Sequence, residues 1–173
     1  MYDVHLTKAF FPPQTDAELR DNTVGELLRE VAGRYPEATA LVDIALDGTV
    51  GREWNYRQLL ETSERLAGVL VSRFAPGERV VVWAPNIPEW LFLEYACAFS
   101  GLVLVTANPS FQEKELRYVL EQSGAVALFL VDSFRGNAMA DIAQKAIEGN
   151  GQIREVVNLE DETVLFKQGS KLA

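Results

Sequence analysis

A single cysteine and a single histidine in 173 residues remove several chemistries at once. Cys97 alone excludes an internal disulfide and any multi-cysteine metal site, and its apolar helical setting reads as a buried thiol in a reducing compartment. His5, in the N-terminal arm, is more simply a surface residue than a catalyst. Basic residues are also scarce. Sixteen Lys and Arg against 25 Asp and Glu leave a net charge of −9, so a phosphate backbone would have to bind against the overall field, and no nucleic-acid partner is expected.

The common nucleotide and hydrolase motifs are missing too. No G-x-G-x-x-G follows a strand, no G-x-x-x-x-G-K-[ST] occurs, and no G-x-S-x-G elbow precedes an acid and a histidine. Asp132, Asp141, Glu155 and Asp161 lack the spacing of a metal loop and read as solvated charge. The N-terminus has neither a basic segment followed by a long apolar run nor an Arg-rich transit pattern, which leaves the cytoplasm as the expected compartment. The most apolar window, WLFLEYACAFSGLVLVTA, contains Glu94 and Gly101 and changes period halfway. It reads as a buried helix followed by a buried strand, not as a membrane span.

What is present is strong periodicity with clear punctuation. Thr23-x-x-Glu26 is a capping box opening a helix over about 24–35, closed near Pro36. ATALVDIA and REWN read as two antiparallel strands joined through LDGTV, and Asn55 with Gln58 opens a second helix striped by Leu59, Leu66, Val69 and Leu70. From Arg79 onward, strand and helix alternate through RVVVWA, PEWLFLEYACAFS, LVLVTA, QEKELRYVLEQS, AVALFLV, AMADIAQKAIE and IREVVNL. Nearly continuous apolar strands between amphipathic helices predict an α/β fold. Its core is a three-layer parallel sheet of βαβ units flanked by helices, preceded by a short N-terminal helix and an antiparallel hairpin. Asn86 before Pro88, and Ser110 with Glu113, are expected to cap the helices they precede, while Gly101, Gly124 and Gly149 stand where helices end.

The loops WAPNIPE, TANPSFQ and VDSFRGN would share the carboxyl edge of the sheet, where α/β proteins bind ligands. Asn108 fits a turn or a ligand contact. Arg135 with Gly136 fits either a phosphate contact or a surface ion pair with Asp132. The segment DETVLFKQGSKLA loses the alternation, and its Gly-Ser-Lys-Leu-Ala end is similar to a vector-derived scar. The expected division is an arm over 1–22, a subdomain over 23–160 and a tail over 161–173.

In order, EWNYRQLLETSERLAGVL, GERVVVWAPNIPEWLFLEYACAFSGLVLVTANPSF and ELRYVLEQSGAVALFLV resemble the N-terminal part of adenylate-forming enzymes, the superfamily of acyl-CoA synthetases, adenylation domains and luciferases. The nearest likeness is to AMP-forming acyl-CoA synthetases. The resemblance implies a ligase that uses ATP, Mg and coenzyme A to turn a fatty acid or related carboxylate into an acyl-adenylate and then a thioester. It also implies a scaffold role for the NIPEW turn. The Ser/Thr/Gly-rich phosphate loop, the ribose-binding acid, the hinge and the C-terminal lysine of the family have no counterpart in this sequence. The chain is therefore expected to be an N-terminal fragment, inactive alone, with the rest of the ligase as its partner. Similarity to acetyl-CoA synthetases carries one contact over: Arg135 to the 3′-phosphoadenosine of coenzyme A, with Ser110 and Phe111 beside it. The family's arginine pair is incomplete here. No catalytic residue and no metal ligand is expected in this chain. The alternative is a non-catalytic interaction module that keeps the fold and self-associates through its exposed cut face.

Overall fold

The computed structural model describes residues 7, 19–45 and 47–169. His5 and residues 170–173 of the scar-like end lie outside them.

Helix α1 (Val24–Arg34) starts at the Thr23–Glu26 capping box and buries Gly25, Leu28 and Ala32. Strands β1 (Thr39–Ile44) and β2 (Val50–Asn55) pair antiparallel. Gly48, at φ 86°, turns the chain between them, and the Asp47 carboxylate accepts the Thr49 N–H at 2.9 Å. Helix α2 (Tyr56–Arg73) follows the Asn55–Gln58 capping box, and all four residues of its predicted stripe are buried. The alternating part then runs β3 (Arg79–Trp83), α3 (Pro88–Ser100), β4 (Val103–Thr106), α4 (Glu113–Ser123) and β5 (Ala127–Leu130). It continues through a small hairpin, β6 (Ser133–Phe134) with β7 (Asn137–Ala138), then α5 (Met139–Ile147), β8 (Glu155–Asn158) and α6 (Glu162–Leu165).

The main sheet is parallel, in the order β4-β3-β5-β8. Right-handed crossovers place α3 on one face and α4 and α5 on the other, because the path from β3 runs first to β4 and then back over β3 to β5. The packing agrees, with α1, α2 and α3 against one another and α4 against α5. Both faces are thus covered, and β3 and β5 carry continuous buried runs. Helix α3 is apolar on several sides because it is enclosed between the sheet and α2; Phe92, Leu93, Ala96 and Cys97 are buried. The apolar window around Gly101 is therefore a buried helix and a strand joined by a left-handed glycine at φ 71°. Among the described residues no helix is long and apolar enough to cross a membrane.

Three local expectations need correction. Asn86 does not cap α3: the cap position is Ile87, whose extended backbone feeds Pro88 directly into the first turn. Ser110 does not cap α4. The Asn108 side chain accepts the Ser110 N–H at 2.9 Å and the Asn108 carbonyl accepts the Phe111 N–H at 2.9 Å, so the chain is still turning through Phe111. The capping position is Gln112, whose N–H donates to the Glu115 carboxylate at 2.8 Å. Nor are Glu155 and Asp161 simply solvated. Glu155 holds the buried guanidinium of Arg73, and Asp161 caps α6 by accepting the Thr163 N–H at 2.9 Å.

The segment after Leu159, which shows no alternation in sequence, is packed as far as it is described. Leu165 is buried, Arg65 lies 3.9 Å from the centre of the Phe166 ring, and the Gly169 N–H donates to the Ser72 hydroxyl at 2.9 Å.

Candidate functional site at the carboxyl edge of the sheet

Parallel register brings the ends of β3, β4 and β5 to one edge, with Val82 opposite Thr106 and Trp83 opposite Leu130. The connection from β3 runs to one side of the sheet and that from β5 to the other, so the loops that follow these parallel neighbours flank a topological switch point. The loop after β4 is pinned from below. Trp83 is fully buried and its indole N–H donates to the Asn108 carbonyl at 2.8 Å, which fixes the turn that carries Ser110 and Phe111. Phe111 is half-buried against the core and Ser110 is exposed.

The VDSFRGN segment folds in a way the sequence reading missed. It is a hairpin whose two-residue turn is Arg135-Gly136, with φ of 48° and 83°. Two successive positive φ values are what a type I′ turn demands, and Asn or Asp usually takes the first place. Arginine there hides the signal, although the Gly that follows it could have given it away. The guanidinium of Arg135 is exposed and lies 5.1 Å from the centre of the Phe134 ring, while Phe134 packs against the core. Among the described residues Arg135 makes no ion pair, so the Asp132 alternative is not what the structure builds. The Asp132 carbonyl instead accepts the Ala140 N–H at 3.1 Å, closing the hairpin onto α5.

The β4–α4 loop and this hairpin meet. The Gln112 side-chain amide donates to the Asn137 side-chain oxygen at 3.3 Å, so Ser110, Phe111 and Arg135 belong to one connected edge. This edge offers a cation, an open glycine backbone, a hydroxyl and an aromatic face. It has no paired acid and base, and among the described residues no three His, Cys, Asp or Glu are placed to hold a metal.

The NIPEW turn does different work. Glu89 is buried in the first turn of α3 and accepts from the Arg52 guanidinium of β2 at 2.7 Å. Arg52 also lies 5.0 Å from the centre of the Trp54 ring, and Trp54 meets Phe92 edge-on at 5.3 Å. Glu89 and Phe92 of α3 therefore dock the β1–β2 hairpin through Arg52 and Trp54. Sequence alone could not pair residues 37 positions apart. A groove of about 320 Å³ lies beside that junction, lined by Leu41, Val42 and Ile44 on one side and Ile87, Trp90 and Leu91 on the other.

A doubly wound α/β layer, with its strand-end loops gathered at one edge of a parallel sheet, is the class that the fold defines. The profile of AMP-binding enzymes matches residues 28–171, and the chain belongs to that family. It is 39% identical over 132 residues to YngI of Bacillus subtilis (strain 168), which is named as an acyl-CoA synthetase. It is 32% identical over 138 residues to the mouse mitochondrial medium-chain acyl-CoA ligase ACSF2. These matches take in 76% and 79% of this chain but only 23% and 22% of the two relatives, so the chain spans under a quarter of their length. A crystal structure from Rhodopseudomonas palustris, described as a long-chain-fatty-acid CoA ligase, superposes with a TM-score of 0.68 at 25% identity. That superposition covers 83% of this chain and 34% of the other. The N-terminal domain of FACL13 from Mycobacterium tuberculosis shares the fold with a TM-score of 0.70 at 23% identity, over 84% of this chain and 36% of that one.

Proposed function

We propose that this chain is the N-terminal part of an AMP-forming acyl-CoA ligase acting on a fatty acid or related carboxylate. In the whole enzyme a carboxylate oxygen attacks the α-phosphorus of ATP and pyrophosphate leaves. The coenzyme A sulfur then attacks the acyl carbon and AMP leaves. The observation that carries this reading is the family match over 28–171, supported by relatives named as acyl-CoA synthetases and ligases. ATP, Mg and coenzyme A are the ligands of that whole enzyme. Its adenylation step needs donors arranged around the reacting phosphorus, and this sequence carries no Ser/Thr/Gly-rich phosphate loop, so the isolated chain is expected to be inactive.

Within the enzyme, this chain contributes the sheet, the docked hairpin and one wall for coenzyme A. Arg135 is assigned the 3′-phosphate, with Ser110 and Phe111 along the adenine side. The turn supports this, since Gly136 lets the ligand approach and the guanidinium faces solvent. The test is Arg135→Ala in the full-length enzyme. The KM for coenzyme A should rise about tenfold, as loss of a charge-assisted hydrogen bond implies, with carboxylate-dependent ATP–pyrophosphate exchange unchanged. An unchanged coenzyme A dependence would remove the contact. Exchange activity in the purified 173-residue chain, above a matched blank, would overturn the inactive-fragment reading.

A second reading, an interaction module, draws on exposed apolar positions at both outer strands of the sheet and on the hairpin: Val103, Val156, Val42, Ile44 and Val50. It calls for concentration-dependent self-association by light scattering. A clean monomer over a wide concentration range counts against it.

A further inference from the structure

We infer that Gln112 and Asn137 are positioning residues for the Arg135 turn, forming a latch that sets where its guanidinium stands; this rests on the coenzyme A reading above. The β6–β7 hairpin has two paired residues on each strand, far too few to hold a fixed direction alone. Its base is closed by the Ala140–Asp132 backbone bond, and on the strand entering the turn Phe134, half-buried against the core, stands opposite Asn137. The side-chain bond from Gln112 to Asn137, at 3.3 Å, ties the strand leaving the turn to a neighbouring element.

Gln112 is a rigid place to tie it. It sits at the cap of α4, with its own N–H held by Glu115, and it follows a loop fixed from below by the buried Trp83 indole on the Asn108 carbonyl. The order of the central sheet is thereby passed from β3 through the β4–α4 loop to the tip of the hairpin. An anion that binds Arg135 then meets a turn already in place instead of ordering it on arrival, which lowers the cost of binding.

The experiment uses the full-length enzyme, with steady-state kinetics for coenzyme A, ATP and carboxylate on Gln112→Ala, Asn137→Ala, the double variant and Arg135→Ala. Gln112→Glu keeps the size of the side chain and removes the donor. Each single latch variant, Gln112→Glu included, should raise the KM for coenzyme A about two- to fivefold, with kcat and the other KM values unmoved. The double variant should be no worse than either single one, because one bond is lost in all of them. Multiplying effects in the double variant would mean that the residues act separately and would overturn the latch, as would a fall in kcat across all substrates. Unchanged latch variants beside an impaired Arg135→Ala would remove the latch and leave the coenzyme A contact standing. An unimpaired Arg135→Ala removes both.

Discussion

Arg73 and Glu155 lie 82 residues apart in sequence, yet the Nε and Nη2 of the arginine both donate to one oxygen of the glutamate. The Arg73 side chain is 6% exposed and that of Glu155 33%. A third donor, Nη1, reaches the Leu165 carbonyl at 3.5 Å. The end of α2, the edge strand β8 and the turn of α6 are thus joined at one guanidinium.

Arg73→Met should therefore destabilise the chain by about 2–3 kcal/mol. That is below the cost of stranding a fully buried charge, since Glu155 keeps partial access to water. Glu155→Gln should cost at least as much: its amide oxygen still accepts a hydrogen bond, but the Arg73 guanidinium, the more buried of the two groups, loses its counter-charge. Urea denaturation followed by tryptophan fluorescence measures both, and a clearly smaller loss for Glu155→Gln would contradict the argument.

Gly25 in α1 faces Phe99 of α3 so closely that an added Cβ would stand 2.7 Å from two ring carbons. Alanine normally gains about 1 kcal/mol over glycine inside a helix. Here overpacking should outweigh that gain, and Gly25→Ala should lose about 1–2 kcal/mol. Gly33, on the same helix with open space around it, should stabilise when changed to Ala and provides the internal control.

The Glu78 carboxylate accepts from Arg154 at 2.7 Å and from the Ala75 N–H at 2.9 Å. The Arg154 hydrogen bond is the largest cause holding its pKa below the ordinary 4.5. A folded pKa below the unfolded one gives stability that is fully present above 4.5 and is lost as the pH falls through the folded value. Wild type should exceed Glu78→Gln by a constant margin of up to about 1 kcal/mol between pH 6 and 8. The margin should shrink steadily below pH 4.5. Chemical denaturation at a series of pH values reads it, and a margin that grows on acidification would reverse the sign.

Burial pushes the Cys97 thiol up to about 12, with Glu94 adding to the effect. Native protein at pH 8 should react with a thiol-specific disulfide reagent only at the rate of opening, and at once in denaturant. Rapid labelling of the folded chain would show that α3 is not enclosed as described.

The capping boxes at Thr23 and Asn55, the left-handed Gly101 and Gly124, and the alternation from Arg79 to Asn158 are all readable in sequence. Each is a short-range signal: a side chain reaching three residues along its own backbone, or a period set by one element's own geometry. Such signals determine which elements form, and their order restricts the sheet to a parallel, doubly wound arrangement.

Only the tertiary structure decided what depends on distant partners. The caps at Asn86 and Ser110 gave way because a proline in one case and an Asn108 turn in the other settled the backbone first. Glu89 and Glu155 carry no sequence mark that distinguishes them from solvated acids; Arg52 and Arg73, brought alongside by the packing of the hairpin and of α2, make them structural. The same holds at the ligand edge. Arg135 is visible in sequence as a cation near a strand end, but its positive-φ turn and the Gln112–Asn137 contact exist only once α4 and the hairpin have taken their places on the sheet.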